Sequence, residues 1–133
     1  MSKQIVREAM SAVLVTVGPG HTLREAATRM AEREVGSAVV FDPDGQGPAI
    51  ITERDIVQAV SKGVDLDTAV VSEHLRRDNA IAVGDWPLEE ASRAMMRSHR
   101  RHLLVVDGGE VVGVVSIRDI VAAWEPLLQR TTA

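Results

Sequence analysis

The chain has 133 residues, which suits one compact domain or two small ones. Its formal net charge of −4 provides no overall basic field, which argues against nucleic acid or an anionic membrane as a partner. Cysteine is absent, so disulfides and thiolate metal sites are excluded, and this composition favours a cytoplasmic location. The N-terminal residues lack the apolar core of a signal peptide, and no apolar run is long enough to span a bilayer.

The first half of the chain predicts alternating helices and strands, because apolar residues recur at helical spacing between short β-rich runs. Thr22, with Glu25 three residues later, forms a capping-box pattern at the start of the second helix. We expect Gly36 to end that helix and Gly63 to end the last helix of this half. The predicted elements are a helix over 3–10, a strand over 13–17, a helix over 22–34, strands over 37–41 and 49–51 joined by a turn over 42–47, and a helix over 52–62.

The second half predicts the same order of elements. Pro87 is suited to the first turn of a helix, where its fixed φ fits and its missing N–H costs nothing. Gly108 and Gly109 lie between two apolar runs, which indicates a β-hairpin. The predicted elements are a short helix over 70–75, a strand over 80–83, a helix over 87–98, strands over 102–106 and 111–115, and a helix from 117 to about Trp124.

One strand-to-helix junction occurs twice and indicates that the chain is duplicated. Ala49-Ile50-Ile51-Thr52-Glu53-Arg54-Asp55 and Gly113-Val114-Val115-Ser116-Ile117-Arg118-Asp119 share one pattern, a hydroxyl residue after an apolar strand and an aspartate three residues later. We therefore predict two β-α-β-β-α repeats, 5–62 and 70–125, joined by a short linker over 63–69. The expected fold class is α/β (α+β), with one small apolar sheet in each repeat. We expect the two sheets to cover each other's apolar faces, which would give a pseudo-two-fold module.

The residue types at this junction suit a ribose phosphate. A helix N-terminus offers free backbone N–H groups and the positive end of the helix dipole, which together attract phosphate. A Ser or Thr hydroxyl there can donate to phosphate, and a first-turn carboxylate can accept two hydrogen bonds from a vicinal diol. The same pattern is also a common helix cap, so a purely structural role stays open.

The chain resembles a tandem pair of CBS domains (cystathionine-β-synthase type), also called a Bateman module. The resemblance rests on GSAVVFDPDGQGPAIITERDIVQAV and RRHLLVVDGGEVVGVVSIRDIVAAW, each of which follows a helix with a Leu-x-x-Ala-x-x-x-Met pattern. That helix pattern comprises Leu23, Ala26 and Met30 in the first repeat and Leu88, Ala91 and Met95 in the second. The resemblance extends from about residue 5 to 125. It is specific for the fold and less so for any one ligand.

The resemblance implies two related clefts between the repeats that bind adenosine-containing ligands. These are AMP, ADP or ATP, and in some members S-adenosylmethionine, NAD or dinucleoside polyphosphates. It further implies that the two junction aspartates bind ribose and that the basic residues face phosphate. The implied ligand-binding residues are Asp55 and Asp119 for ribose, Thr52 and Ser116 at the helix starts, Arg54, Arg101, His102 and Arg118 for phosphate, and Thr16, Ser37 and Ala38 along the cleft walls.

The two implied clefts differ in positive charge, so we expect a nucleotide phosphate to prefer the Asp55 cleft. By the family's two-fold pattern, Arg101, His102 and Arg118 face the Asp55 cleft, whereas the Asp119 cleft meets Gly36 and Ser37 and keeps mainly Arg54. Ala49 stands where the family usually has glycine, as at Gly113 in the second repeat. Its methyl group either crowds a ligand or simply packs.

Three functional hypotheses follow from this pattern. The first is a regulatory module that senses an adenine nucleotide and modulates a partner or its own assembly. The second is a nucleotide-independent dimerisation or protein-interaction module, and the resemblance implies a homodimer formed through the helices. The third is an enzyme, which the spacing of polar residues does not support because no catalytic triad or carboxylate pair is indicated. No metal site is expected, since His99 and His102 lack an evident third ligand.

Overall fold

The chain folds into two compact units, each built around one three-stranded sheet. The computed structural model describes residues 4–42, 45, 47–76 and 81–123. The first-repeat unit is Leu14–Asn79, whereas the second-repeat unit combines Met1–Val13 with Ala80–Ala133. The beginning of the chain therefore belongs to the unit that the second half builds. The mixed α and β composition confirms the predicted fold class.

The helices and strands follow the predicted order. They are α1 (Val6–Ala9), β1 (Thr16–Val17), α2 (Leu23–Glu32), β2 (Ser37–Val40), β3 (Ala49–Thr52), α3 (Glu53–Ser61), a 3₁₀ turn (Val71–Glu73), β4 (Ile81–Val83), α4 (Leu88–Ser98), β5 (His102–Asp107), β6 (Glu110–Ser116) and α5 (117–123, to the last described residue of that helix). Among the described residues, no helix combines the length and apolar character that a bilayer crossing requires.

Both sheets have the same topology. The strand orders are β1-β2-β3 and β4-β5-β6, and in each sheet the first pair of strands is parallel and the second antiparallel. The register places Ser37 opposite Thr52 in one sheet and His102 opposite Ser116 in the other. The polar residue that begins the middle strand is thus adjacent to the hydroxyl residue that ends the last strand.

The duplicated helix pattern forms the core of both units. Its leucine, alanine and methionine positions are buried on α2 and on α4, and both leucines, Leu23 and Leu88, have no exposed surface. All four residues of β2 are buried, as expected of a strand covered on both faces. The spacing of three and four residues brings these side chains onto the one face of each helix that packs inward.

Several predicted boundaries shift for local reasons. Gly36 does not end α2, because the helix ends at Glu32 and Glu34 takes the left-handed conformation with φ of 55°. Pro87 is the N-cap of α4 rather than a residue of its first turn. The predicted strand over 13–17 is only two residues long. Four of the predicted features extend beyond the described residues, namely the start of the first helix at Lys3, the turn over 42–47, the start of the strand at Ala80 and the end of the last helix at Trp124.

The leading segments of the two repeats dock in matching ways on the two units. Residues 4–7 and 69–72 are separated by 65 positions and make the same backbone hydrogen bonds on equivalent turns. The pairs of bonds, as N···O distances, are Arg7 to Gly84 at 3.0 Å with Ser72 to Pro19 at 3.0 Å, Val6 to Trp86 at 2.8 Å with Val71 to His21 at 2.8 Å, and Leu88 to Gln4 at 3.3 Å with Leu23 to Ala69 at 3.0 Å. Val6 and Val71 are both fully buried. Each segment is therefore a structural part of the unit that holds it.

Candidate functional site

The first junction is where β3 passes into α3, and its aspartate closes a capping box. The Thr52 backbone N–H and hydroxyl donate to Oδ2 of Asp55 at 2.8 and 3.2 Å, and the Asp55 backbone N–H donates to the Thr52 hydroxyl oxygen at 3.5 Å. Thr52 has extended backbone angles, which allow its side chain to fold back over the first turn. Asp55 is only 5% exposed. The structural role that the sequence left open is therefore real at this junction.

The second junction, between β6 and α5, repeats this arrangement with one difference. The Ser116 backbone N–H donates to Oδ2 of Asp119 at 2.8 Å, and the Asp119 backbone N–H donates to the Ser116 hydroxyl oxygen at 3.2 Å. Within the described residues, the Ser116 hydroxyl does not donate to the carboxylate, whereas the Thr52 hydroxyl does. Asp119 is half-buried and thus more accessible than Asp55.

Capping leaves part of each carboxylate available for a ligand. The hydrogen bonds that these two carboxylates accept all end on Oδ2, and Oδ1 of Asp55 and of Asp119 accepts no hydrogen bond from any residue in the described ranges. An ionised carboxylate has about four lone-pair positions, so it can hold the cap and still accept from a ribose diol. The cap also fixes the orientation of the carboxylate, which is a useful property in a binding group.

The sheet register brings further predicted residues next to each junction. Ser37, 8% exposed, lies across from Thr52, and the Glu53 N–H donates to the Gly36 carbonyl at 2.9 Å. The equivalent bond in the other unit runs from the Ile117 N–H to the Arg101 carbonyl at 2.9 Å. Sequence reasoning did not recognise these within-unit neighbours, although the repeat spacing contained the signal. Each middle strand has to begin where its hairpin partner ends.

The backbones of Arg101 and His102 lie next to Ser116 in the second-repeat unit. The Arg101 side chain is exposed and the His102 side chain is half-buried. Their assignment to phosphate at the Asp55 cleft stays a prediction.

The remaining predicted residues are distributed over the two units. Arg54 and Arg118 are exposed in the first turns of α3 and α5. Thr16 is exposed on β1, and its carbonyl accepts a hydrogen bond from Nη1 of Arg29 at 2.8 Å. Ala38 is 1% exposed and belongs to the buried core of the first-repeat unit.

Two surface grooves in the described part of the chain lie along α2. One of about 510 Å³ is lined by Arg24, Glu25, Arg29, Glu32 and Asp67, among others, and one of about 300 Å³ extends beside Thr16. Neither groove borders Asp55 or Asp119, and their walls mix both signs of charge. Within the first groove, hydrogen bonding to Asp67 raises the pKa of the Arg24 guanidinium, which is already charged at neutral pH. The grooves therefore do not identify the predicted ligand site.

Metal ligands do not cluster in the described ranges, where no three His, Asp or Glu side chains gather closely enough to hold an ion.

Gly113 has a structural reason to be glycine. A Cβ atom there would lie 2.6 Å from both Sδ of Met10 and the carbonyl oxygen of Ser11. The missing side chain therefore makes room for the N-terminal segment. Ala49, at the equivalent position of the other unit, packs against the core of that unit. Of the two roles left open for its methyl group, packing is the one that the structure contains.

Comparison with known proteins found matches to a family model, to curated sequences and to solved structures. The family model described as CBS domain matches residues 6–62 and 71–125. An uncharacterized 17.7 kDa protein of Acidianus ambivalens is 36% identical over 124 residues, 92% of this chain and 74% of that protein. A second uncharacterized protein, from Methanocaldococcus jannaschii, is 29% identical, and the chain covers only 41% of its length. A CBS domain protein from Pyrobaculum aerophilum, complexed with AMP, is 34% identical, with 98% of this chain and 100% of that chain covered at a TM-score of 0.82.

Proposed function

Because the chain belongs to the CBS-domain family and carries two CBS domains in tandem, we propose that it senses an adenosine-containing nucleotide of the AMP, ADP or ATP class. CBS-domain pairs are regulatory modules. In this proposal the ligand occupies clefts between the two repeats, where Asp55 and Asp119 accept hydrogen bonds from ribose. The bound state then modulates a protein partner or the assembly of the chain itself. No catalytic role is assigned to any residue.

The observation that carries this proposal is the pair of equivalent junctions. Each one holds a carboxylate whose orientation is fixed through one oxygen while the other oxygen accepts no bond from the described residues. Each also places a hydroxyl and helix N-terminal amides within a few residues of that carboxylate, which suits a ribose phosphate. The AMP complex of the Pyrobaculum aerophilum protein, a relative at 34% identity, supports the choice of ligand class.

We also propose that the two junctions bind nucleotide unequally. The proposed phosphate groups for the Asp55 cleft are Arg101, His102 and Arg118, and for the Asp119 cleft mainly Arg54, with Ser37 on its wall. Three basic residues attract a nucleotide phosphate more strongly than one, so phosphate binding favours Asp55. The proposed adenine slot lies near Thr16 and Ala38, or near residues 81–83 and Leu103. S-adenosylmethionine and NAD belong to the same proposal as alternative ligands.

The test is a ligand panel on the full chain. AMP, ADP, ATP, S-adenosylmethionine and NADH are each added in a thermal unfolding experiment, and a ligand at 100 times its Kd should stabilise the folded state by about 2.7 kcal/mol. Asp55→Asn and Asp119→Asn keep an acceptor for the cap while removing the negative charge that a ribose diol prefers. The proposal predicts a larger loss of AMP affinity for Asp55→Asn. Absence of stabilisation by every ligand in the panel would refute nucleotide sensing.

A second function, nucleotide-independent dimerisation, is favoured by the outer surface of two helices. Val57 and Val60 on α3 are 64% and 57% exposed, and Val121 on α5 is 54% exposed. Residues three apart on a helix share a face, so the two valines of α3 form a small apolar patch. We propose that this patch contributes to a homodimer. Sedimentation of Val57→Glu with Val60→Glu, compared with the unmodified chain, should show a smaller species if the patch is an interface.

A further inference from the structure

Residues 4–11 form a strap on the second-repeat unit. The strap contains α1, which is only four residues long, so its position depends on contacts with the rest of the unit rather than on its own helical stability. At one end its backbone bonds to the turn over 84–86. At the other end, Ser11 and Val114 bond reciprocally, with N···O distances of 2.9 and 3.0 Å. The strap therefore covers the outer edge of β6.

Arg7 fastens the strap through two carboxylates. Its Nε and Nη2 both lie 3.0 Å from Oδ2 of Asp107, and its Nη1 lies 2.9 Å from Oδ1 of Asp85. Oδ1 of Asp107 in turn accepts from the Gly84 N–H at 3.2 Å, so the strap, the turn over 84–86 and the hairpin end of β5 are linked together. A solitary exposed ion pair contributes little, but a multiply bonded guanidinium in a network of charges is the recognised exception.

This fastening is absent from the equivalent place in the first-repeat unit. The residues equivalent to Arg7 and Asp85, 65 positions away, are Ser72 and Gly20, so the matching segment carries no guanidinium and one of the two carboxylates is missing. The backbone bonds of the two segments are nevertheless the same. Both segments thus bind their units through the same backbone bonds, and the second-repeat unit adds the contact of Arg7 with two carboxylates.

The strap also contacts the strand that positions the second junction. Met10 and Ser11 occupy the space where a side chain at Gly113 would lie. Ser11 also makes its two backbone hydrogen bonds with Val114, which is two residues before Ser116. Loss of the strap would leave the outer N–H and C=O of Val114 without these bonds, on a strand that ends in the Ser116–Asp119 cap. The Thr52–Asp55 cap belongs to the other unit.

We propose that the strap is a regulatory contact, fastened by Arg7 to Asp85 and Asp107, whose release loosens the Ser116–Asp119 junction and leaves the Thr52–Asp55 junction unchanged. Release is favoured by high ionic strength or by any anion that competes for Arg7. As far as it concerns ligand affinity, this regulation rests on the proposed nucleotide binding. The mechanical coupling between strap and junction does not.

Hydrogen exchange on the full chain tests the fastening. Arg7→Gln should speed the exchange of the Val6, Ser11 and Val114 amides by up to about fivefold, the upper end of what exposed ion pairs supply. Arg24→Gln is the matched control, because Arg24 makes an exposed ion pair with Asp67 in the first-repeat unit. It should leave those three amides unchanged. Equal protection of the strap in both variants would overturn the fastening.

Ionic strength provides a test that needs no substitution. The screening length falls from about 10 Å at 0.1 M salt to about 3 Å at 1 M, so concentrated sodium chloride weakens the exposed contacts of Arg7. The unmodified chain should then exchange its Ser11 and Val114 amides as fast as Arg7→Gln does at low salt. Salt should add little in Arg7→Gln itself. A salt effect of the same size in both proteins would contradict the proposed role of Arg7.

The coupling has a readout without ligand and one with ligand. In Arg7→Gln the Ser116 and Asp119 amides should exchange faster, while those of Thr52 and Asp55 should not. With AMP as the probe, Arg7→Gln should lower affinity when combined with Asp55→Asn and leave it unchanged when combined with Asp119→Asn. Faster exchange at both junctions, or at neither, overturns the coupling. If AMP does not bind even to the unmodified chain, the effect on AMP affinity is refuted, and the exchange results alone decide the mechanical coupling.

Discussion

The two junctions have the same sequence pattern and the same cap, yet they sit in different surroundings. Asp55 is almost completely buried and accepts from both the backbone and the hydroxyl of Thr52. Asp119 is half-buried and accepts from the backbone of Ser116, on a strand whose outer edge is covered by the N-terminal strap. Duplication therefore preserved the local geometry, while the contacts around it diverged. These contacts add to the difference in basic residues that is proposed for the two clefts.

The largest expected effect tests whether the two cores are equivalent. Leu23→Ala and Leu88→Ala each remove a side chain with no exposed surface from matching positions on α2 and α4. Each should lower the free energy of unfolding by about 2–5 kcal/mol, because a buried cavity adds to the lost transfer energy. Urea unfolding followed by tryptophan fluorescence and circular dichroism measures both. If the losses in free energy of unfolding for the two variants differ by more than the width of that range, about 3 kcal/mol, the cores are not equivalent.

The next effect separates Gly113 and Ala49, which occupy equivalent positions on the last strand of each sheet. Gly113→Ala should destabilise the chain by about 1–3 kcal/mol, because its Cβ would overlap the Ser11 carbonyl, and a backbone atom cannot move away easily. Ala49→Gly, at the equivalent position, should cost only about 1 kcal/mol, for one methyl group and a less restrained backbone. Urea midpoints compare them. If Gly113→Ala is tolerated as well as Ala49→Gly, the strap does not approach β6 this closely.

The caps should differ in strength when no ligand is present. Thr52→Ala and Ser116→Ala each remove a side-chain acceptor from a helix N-terminus, with an expected cost of about 0.5–2 kcal/mol. Thr52→Ala should lower the free energy of unfolding more, because the Thr52 hydroxyl also donates to the buried Asp55 carboxylate. Removing the hydroxyl leaves that carboxylate with one hydrogen bond fewer. Thermal unfolding of the two variants is the measurement. A greater loss for Ser116→Ala would reverse the ranking of the two junctions.

The smallest effect concerns the ends of α2 and α4. Glu34 and His99 occupy equivalent positions and both have φ of 55°, a conformation that favours glycine. Glu34→Gly should stabilise the chain by roughly 0.5–1 kcal/mol, because the strain of a side chain in the left-handed region is removed. His99→Gly should give a gain of similar size, since the backbone angle that is relieved is the same. Paired melting temperatures compare the two gains, and a loss of stability in either variant would refute that reasoning.

The parts of the fold that the sequence predicted well are local. The N-caps at Thr22 and Thr52, the turn residue Gly63 and the inward-facing leucines all depend on residues within one helical turn of each other. The error at Gly36 has the same origin. Glycine is the residue most often found after a helix, but Glu34 took the left-handed position two residues earlier. A local preference predicts that a helix ends, and less reliably at which residue.

The candidate site also has local features that the sequence predicted and long-range features that it did not. The residue types at the two junctions were evident from the repeat, as was the open choice between cap and ligand group. The pairing of His102 with Ser116 was not recognised from the sequence and is given by the register of β5 and β6. The reason for Gly113 was hidden as well, since the segment that fills its space lies about a hundred residues earlier in the chain.

From the amino-acid sequence alone come the duplication, the order of helices and strands, the residues of each core and the chemistry available at the two junctions. These follow from periodicity and short-range hydrogen bonding, which act between near neighbours. The tertiary structure decided which unit receives each leading segment, that Arg7 meets Asp85 and Asp107, and that one oxygen of each junction aspartate is committed to a cap. Such pairings join distant positions through burial and backbone complementarity, and no spacing within the sequence encodes them.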